Sequence, residues 1–341
     1  GSEMCIRDRL SVSGDDQGPT IAWGAHVSGG TQVAAAKLVQ GSWLVSPLDT
    51  GAALATPVVV RDGPGSTAVL WPTVNAIMMA SSVGETLGEA QVALALTVPV
   101  YFATSFRGKA SIDGTIVVAW ETNRTSADYF MGAIRQGGTW TSPMPIPNAS
   151  KNGIGPAIVS VWADATPAIG IGAYGPRGCS YAVGMQLWSG GQLQAMAPVG
   201  GAPIARINGR WVVLKQELDP GCSLDNEYFG TLLTASIQDG MAWTPTVPGL
   251  IAGGGGYYVA GITNALVVND RLVVLATTYK KKRRAASLLQ LQGDTWISRN
   301  FTGGSLPKAC MGSCSLVLGA PGEVNLISTT ATTVTMTRLR L

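Results

Sequence analysis

Ile134-Arg135-Gln136-Gly137-Gly138-Thr139-Trp140, followed by Pro143, carries the signature from which the architecture follows. An apolar residue near the end of one strand, a glycine turn and an aromatic residue opening the next strand make a tight β-hairpin. Four other segments repeat the plan: Leu38 to Trp43 with Pro47, Leu187 to Leu193 with Pro198, Ile237 to Trp243 with Pro245, and Leu291 to Trp296. The residues after the turns, Trp43, Trp140, Leu193, Trp243 and Trp296, stand 97, 53, 50 and 53 positions apart. The first interval is double the rest and is expected to hide a degenerate copy, read at Glu89-Ala90-Gln91-Val92 with Val92 in place of tryptophan. A period of this length with four strand-like runs is that of a β-propeller. The expected fold is all-β, with about seven four-stranded blades and a six-bladed ring as the alternative.

Turn residues and alternation place the strands within a period. In blade five, strand A is expected near Pro203 to Ile207, then Asn208-Gly209, strand B from Arg210 to Glu217, strand C from Glu227 to Gln238, Asp239-Gly240, and strand D from Trp243. Blade six repeats this with turns at Asn269-Asp270 and Gly293-Asp294. The degenerate second blade is expected from roughly Thr56 to Thr97. The C-terminal stretch offers three strands, near Cys314, Val324 to Thr329 and Val334 to Leu339, so a strand from the N-terminal side is expected to complete the last blade. Met4-Cys5-Ile6-Arg7-Asp8-Arg9 resembles translated sequencing-adapter DNA at the end of a metagenomic contig. Residues 1–9 are therefore set aside, with the natural N-terminus expected to be missing, and residues 10–341 are read as one propeller domain.

Charged residues make up 13% of the chain, hydrophobic residues 46%, and 44 residues are glycine, a balance suited to short buried strands and tight turns rather than to disorder. A net charge of +3 gives no general nucleic-acid signal. The longest apolar run, from Val92 to Thr104, falls short of the about 20 residues of a membrane helix, so no span is expected.

The strand, Gly-turn, Trp, Pro pattern resembles the sialidase-type superfamily of propellers with Asp-box (BNR) repeats, from about Gly18 onward. Gln136 to Trp140 lacks the Ser and Asp of a full Asp-box, and Phe106-Arg107-Gly108-Lys109 lacks the Ile and Pro of the family's arginine element. The resemblance implies that ligands bind at the B-to-C loops and the links between blades. Those carry His26, Asn123, Arg124, Tyr174, Arg177, Glu217 through Glu227, and Lys280 to Arg284. The ligand-binding candidates are Arg124, Tyr174, Arg177, Glu217, Asp225, Glu227, Lys281 and Arg283. The repeated tryptophans fall at the opposite end, where blade-to-blade packing is the expected role.

Carboxylates are the candidate catalytic groups: Glu217, Asp219, Asp225 and Glu227 crowd one region beside Tyr228. Glu217 with Tyr228 matches the carboxylate-activated tyrosine that the sialidase resemblance implies. The competing reading is a solvated acidic loop. One histidine, His26, leaves Ser-His-Asp and histidine-rich metal sites without their parts. Gly253 to Gly256 precede a strand rather than a helix and so do not make a phosphate loop. Lys280 to Arg284 either contact an anionic ligand or are simply solvated.

Cys179 and Cys222 occupy Gly-Cys-Ser contexts in the B-to-C loops of consecutive blades, and Cys310 and Cys314 share one link. Two disulfides in an oxidising compartment are expected, Cys179 with Cys222 and Cys310 with Cys314, with a four-thiolate zinc site as the rival. Sequons at Asn123, Asn148 and Asn300 are compatible with secretion. The expected protein is a monomeric, secreted or cell-surface propeller that binds a glycan or a protein without catalysis, cofactor, metal or nucleic acid. A divergent sialidase-type glycoside hydrolase and a structural module of an envelope protein are the alternatives.

Overall fold

A computed structural model describes residues 10–15, 18–27, 30–100, 106–111, 113–122, 130–146, 158–164, 166–174, 182–190, 192–193, 204–218, 231–239, 242–245, 257–280, 283–299, 313–318, 323–329 and 334–340. These form seven small antiparallel sheets, the fold of a seven-bladed β-propeller. Blade one holds β1 (Leu10–Asp15), β2 (Gly18–Val27), β3 (Gly30–Val39) and β4 (Ser42–Ala53). Blade two holds β5 (Val58–Arg61), β6 (Thr67–Pro72) and β7 (Ala76–Val83), with β8 (Thr86–Leu87) and β9 (Gln91–Ala95) both paired to β7. Blade three repeats that arrangement in β10 (Arg107–Ala110), β11 (Ile116–Glu121) and β12 (Phe130–Gln136), with β13 (Thr139–Trp140) and β14 (Met144–Ile146) paired to β12.

Blade four holds β15 (Ile158–Trp162), β16 (Ala168–Tyr174), β17 (Ala182–Ser189) and β18 (Gln192–Leu193). Blade five holds β19 (Ile204–Ile207), β20 (Arg210–Leu218), β21 (Thr231–Asp239) and β22 (Ala242–Pro245). Blade six holds β23 (Tyr257–Val268), β24 (Arg271–Lys280), β25 (Arg283–Gln292) and β26 (Thr295–Arg299). Blade seven shows β27 (Ser313–Leu318), β28 (Glu323–Thr329) and β29 (Val334–Arg340). The chain divides into two compact units, one of Gly1–Asn148, Val161–Ile169 and Val317–Ala320, the other of Ala149–Ser160, Gly170–Leu316 and Pro321–Leu341.

The hairpin chemistry explains why the strands end where they do. Gln40-Gly41, Gly137-Gly138, Asn208-Gly209 and Asn269-Asp270 each place both central residues at positive φ, the geometry whose twist matches that of the strands it joins. The second blade corrects one expectation. Its hairpin is Val83-Gly84-Glu85-Thr86, with Ser82 opposite Leu87, the register in which Arg135 stands opposite Trp140. Leu87, not Val92, is therefore the degenerate counterpart of the tryptophan. Val92 lies in β9 opposite Met78 and is 61% exposed. The aromatic marker is lost at Leu87, which shifted the reading by five positions. The strand expected to complete blade seven falls outside the described residues, and β1 pairs with β2 in blade one.

Alternate residues of the B strand β6 enter two different cores. In the first unit, Val69 and Trp71 of β6 pack with Ala22, Val33 and Ala35 of blade one. Their neighbours Ala68 and Leu70 pack with Ile116, Val118 and Trp120 of blade three. Trp140 is half-buried against that second cluster, as expected of the repeated tryptophans. A second series lies in mid-strand, with Trp71 and Trp120 fully buried and Trp23 half-buried. Trp23, Trp71 and Trp120 occupy one register position, opposite Ala34, Met78 and Met131, and recur at intervals of 48 and 49 residues. In the second unit, Val273, Leu275 and Leu288 of blade six pack with Cys314, Leu316, Val324 and Leu326 of blade seven. Cys314 is buried and disulfide-bonded; Cys5, Cys179, Cys222 and Cys310 lie outside the described residues.

Polar links recur between blades. The amide of Val59 donates to Ser11 Oγ at 2.9 Å, and the amide of Ile204 donates to Ser160 Oγ at 2.9 Å, each joining an inner strand to the serine of the blade before it. Asp62 in the A–B turn of blade two accepts from Ser81 Oγ at 2.7 Å and pairs with Arg135 of blade three. Trp71 Nε1 donates to Asp49 Oδ2 at 2.8 Å. Trp120 Nε1 has no such acceptor, because blade two presents Leu94 at the position where blade one presents Asp49. Asp49→Ala is expected to orphan the buried Trp71 N–H and lower the unfolding free energy by about 1–3 kcal/mol. Urea denaturation checks this, and an unchanged midpoint would show that the contact contributes nothing.

Candidate ligand-binding face

Antiparallel order within each blade puts every B-to-C connection at one end and the A–B and C–D hairpins at the other. The hairpins at the second end are mostly tight, with central residues held at positive φ. The B-to-C connections span residues 28–29, 73–75, 122–129, 175–181, 219–230, 281–282 and 330–333. Binding residues concentrate on connecting segments that a rigid scaffold holds in place.

The structure places some of the expected residues at this end. His26 lies in β2 opposite Thr31, and Tyr174 is the last residue of β16. Glu217 is within β20, opposite Leu232, in the strand expected from Arg210 to Glu217, which runs one residue further to Leu218. Arg283 is the first residue of β25 and stands directly opposite Lys280, the last residue of β24. Asn123, Arg124, Arg177, Asp219, Asp225, Glu227, Tyr228 and Lys281 lie outside the described residues.

Blade six brings together residues that sequence reasoning did not connect. Tyr257 stands opposite Lys280, which stands opposite Arg283, giving a three-strand row of one aromatic and two cationic residues. The adjoining row is Tyr258, Tyr279 and Arg284. The β24–β25 ladder is regular, so residues two apart share a sheet face. Tyr257 and Tyr258 were overlooked because β23 carries two bulges, at Ala260 and Thr263, that break its alternation.

The described polar side chains at the hairpin end have structural explanations. Asp113 accepts from the Ser111 hydroxyl and from the Thr115 amide at 3.0 Å, and these bonds hold its carboxyl below the usual range. That arrangement closes the A–B turn of blade three. Lys109 of β10 places its ammonium 4.4 Å from the centre of the Trp162 ring. Trp162 Nε1 donates to the Asp164 carbonyl at 3.0 Å, which fixes the ring. Burial pushes Lys109 down to about 8, partly offset by the nearby Asp164 charge. At the other end, Glu121 and Thr122 are buried where β11 leaves blade three. Among the described residues no group of three or more His, Cys, Asp or Glu side chains is placed to hold a metal. Among them also no helix is long and apolar enough to cross a membrane.

No family model matches the chain, and no curated protein matches it. Among solved structures, the polysaccharide lyase Uly1 is 9% identical, with a TM-score of 0.59 over 97% of this chain and 89% of that one. A polysaccharide lyase PL25 ulvan lyase bound to -[GlcA(1-4)Rha3S]- is 9% identical, with a TM-score of 0.56 over 99% of this chain and 95% of that one. A lectin of Aleuria aurantia in complex with Fucalpha1-6GlcNAc is 14% identical over 83% of this chain and 91% of that one, at a TM-score of 0.43. The likeness to the lyases is one of propeller fold, and it does not single out the sialidase-type superfamily.

The Lys109 arrangement sets a pH expectation. Its folded-state value lies below the 10.5 of an ordinary lysine, so the unfolded chain holds more protons between about 8 and 10.5, and stability rises with pH through that window. NMR titration of the Lys109 side chain is expected to give a midpoint near 8, moving lower in Asp164→Asn. An unshifted midpoint would contradict the burial assigned to it.

Proposed function

We propose that this protein is a non-catalytic propeller of the secreted or cell-surface type that binds a glycan at the B-to-C end of its blades. The observation that carries the reading is the cross-strand row Tyr257, Lys280 and Arg283 at that end of blade six. Aromatic rings supply a flat apolar surface for the C–H face of a sugar, and cationic donors supply its polar rim. A protein partner would more commonly be met by an apolar anchor set in a dry centre. The saccharide to which a polysaccharide lyase of similar fold is bound is consistent with a sugar ligand.

Catalysis is not part of the proposal. The sialidase-type reaction needs a tyrosine activated by a carboxylate together with a cluster of arginines. Glu217 remains the residue to test for it, since the β20 strand carries it to this end. The propellers of similar fold with the higher TM-scores are lyases rather than hydrolases, so lyase and hydrolase activity are both assayed.

The purified protein is screened on a glycan array, on fluorogenic glycosides, and on polysaccharides for release of unsaturated sugar ends. The expected result is glycan binding with no turnover. Turnover that disappears in Glu217→Gln would replace this reading with an enzymatic one. Silence in every arm would leave a structural module.

A further inference from the structure

Blade six differs from the other blades in a way that bears on the chemistry of the ligand. Its inner strand β23 runs for 12 residues from Tyr257 and carries two bulges, at Ala260 and Thr263. The inner strands β1, β5, β10 and β19 pair with their neighbours without interruption over 4 to 6 residues. Bulges bend a strand and increase its twist, so the B-to-C end of this sheet is reached by a bent strand. Three strands of blade six extend together to that end.

The extension places like charges side by side. Lys280 and Arg283 are a direct cross-strand pair, and Arg284 follows in the next row. Directly opposed residues have Cβ atoms about 5 Å apart, and like charges at that spacing destabilise a sheet. Two more lysines, Lys281 and Lys282, are covalently joined between them. The chain thus keeps five consecutive cations at one hairpin, on an overall charge of only +3. An anion bound across the row removes the repulsion and adds charge-assisted hydrogen bonds to the guanidinium. Tyr257 in the same row offers a ring to a sugar beside that anion.

Resting on the reading of the protein as a glycan binder, we infer that the Tyr257–Lys280–Arg283 row of blade six is a subsite for an acidic sugar, one bearing a carboxylate or a sulfate. Carboxylate and sulfate present the same pair of acceptor oxygens to a guanidinium, so the two sources are separated by experiment.

Binding is measured with three probes: polygalacturonate, which carries carboxylates, dextran sulfate, which carries sulfates, and unmodified dextran. Each is titrated at about 50 and about 300 mM NaCl, since screening shortens the reach of exposed charges. The expected result is binding of at least one acidic probe, weakened about tenfold or more by the higher salt, with dextran silent. In the double variant Lys280→Ser/Arg283→Ser the acidic probe is expected to bind about tenfold more weakly at low salt and to lose most of its salt dependence. Arg338→Ser, on the outer strand β29 of another blade, is expected to bind as the parent does. Thermal melting of each variant separates lost binding from lost folding. Tyr257→Ala is the second probe of the row, expected to weaken a sugar polyanion and to spare inorganic sulfate. Binding of neutral glycans that ignores salt and both substitutions would overturn this inference and leave the glycan reading standing. Duplex DNA competing as well as the acidic polysaccharide, with Tyr257→Ala without effect, would also overturn it, because the patch would then be reading charge alone. No glycan bound in any arm would refute the broader reading itself.

Discussion

A four-stranded sheet with apolar residues on both faces cannot be stable alone, and every other feature of this protein answers that constraint. The B strand β6 alternates its side chains between two cores, so Trp71 serves the interface with blade one while Leu70 serves the interface with blade three. The repeat length of about 50 residues is then the length of chain needed to make one such wall. Close approach between walls is part of the design. A methyl group added to Gly132 would come within 2.3 Å of Ile169 Cδ1 and 2.9 Å of Ile146 Cδ1, so the absent side chain there lets the neighbouring strand settle. Serine hydroxyls on inner strands, Ser11 and Ser160, accept amides of the following blade at positions where no ladder bond is made.

The two ends of the blades do different things. The hairpin end is tied by short-range polar contacts: the Asp62–Arg135 ion pair, the Asp113 turn, and Lys109 resting on Trp162. The first and last of these join neighbouring blades, and the two shifted groups are explained by hydrogen bonding at Asp113 and by burial at Lys109. Connections at the other end run from two residues, as at 281–282, to twelve, at 219–230. A perturbed lysine on its own would have pointed to the hairpin end as the functional one. The direction of its shift follows from burial beside an indole ring, which accounts for it without a ligand.

The blade boundaries were legible in the sequence because the turns between strands have a steric cause. Positive φ at both central positions narrows the choice to Gly, Asn and Asp at most turns, and the eye can follow those residues at a fixed period. The mid-strand Trp23, Trp71 and Trp120 series was not read, although its period is as regular, because a residue in mid-strand has no turn beside it to mark its register. Blade two was found and its hairpin misplaced for the same reason: Leu87 preserves the packing and discards the marker. Composition indicated that Lys280 to Arg284 were unusual, and only the ladder of β24 and β25 shows which of them stand opposite one another. Tyr257 required the structure outright, since two inserted residues in β23 erase the alternation that would have assigned it a face.

The central claim is that ligands are met at the B-to-C end of the blades, and hydrogen exchange read by mass spectrometry, with and without the best glycan from the array, tests it most directly. Protection is predicted in peptides covering the ends of β20, β24 and β25, with the hairpins at Gln40-Gly41, Gly137-Gly138 and Asn208-Gly209 unchanged. Protection confined to those hairpins would contradict the account, since it would put the ligand at the end where, among the described residues, the shifted groups Lys109 and Asp113 are explained by burial and hydrogen bonding.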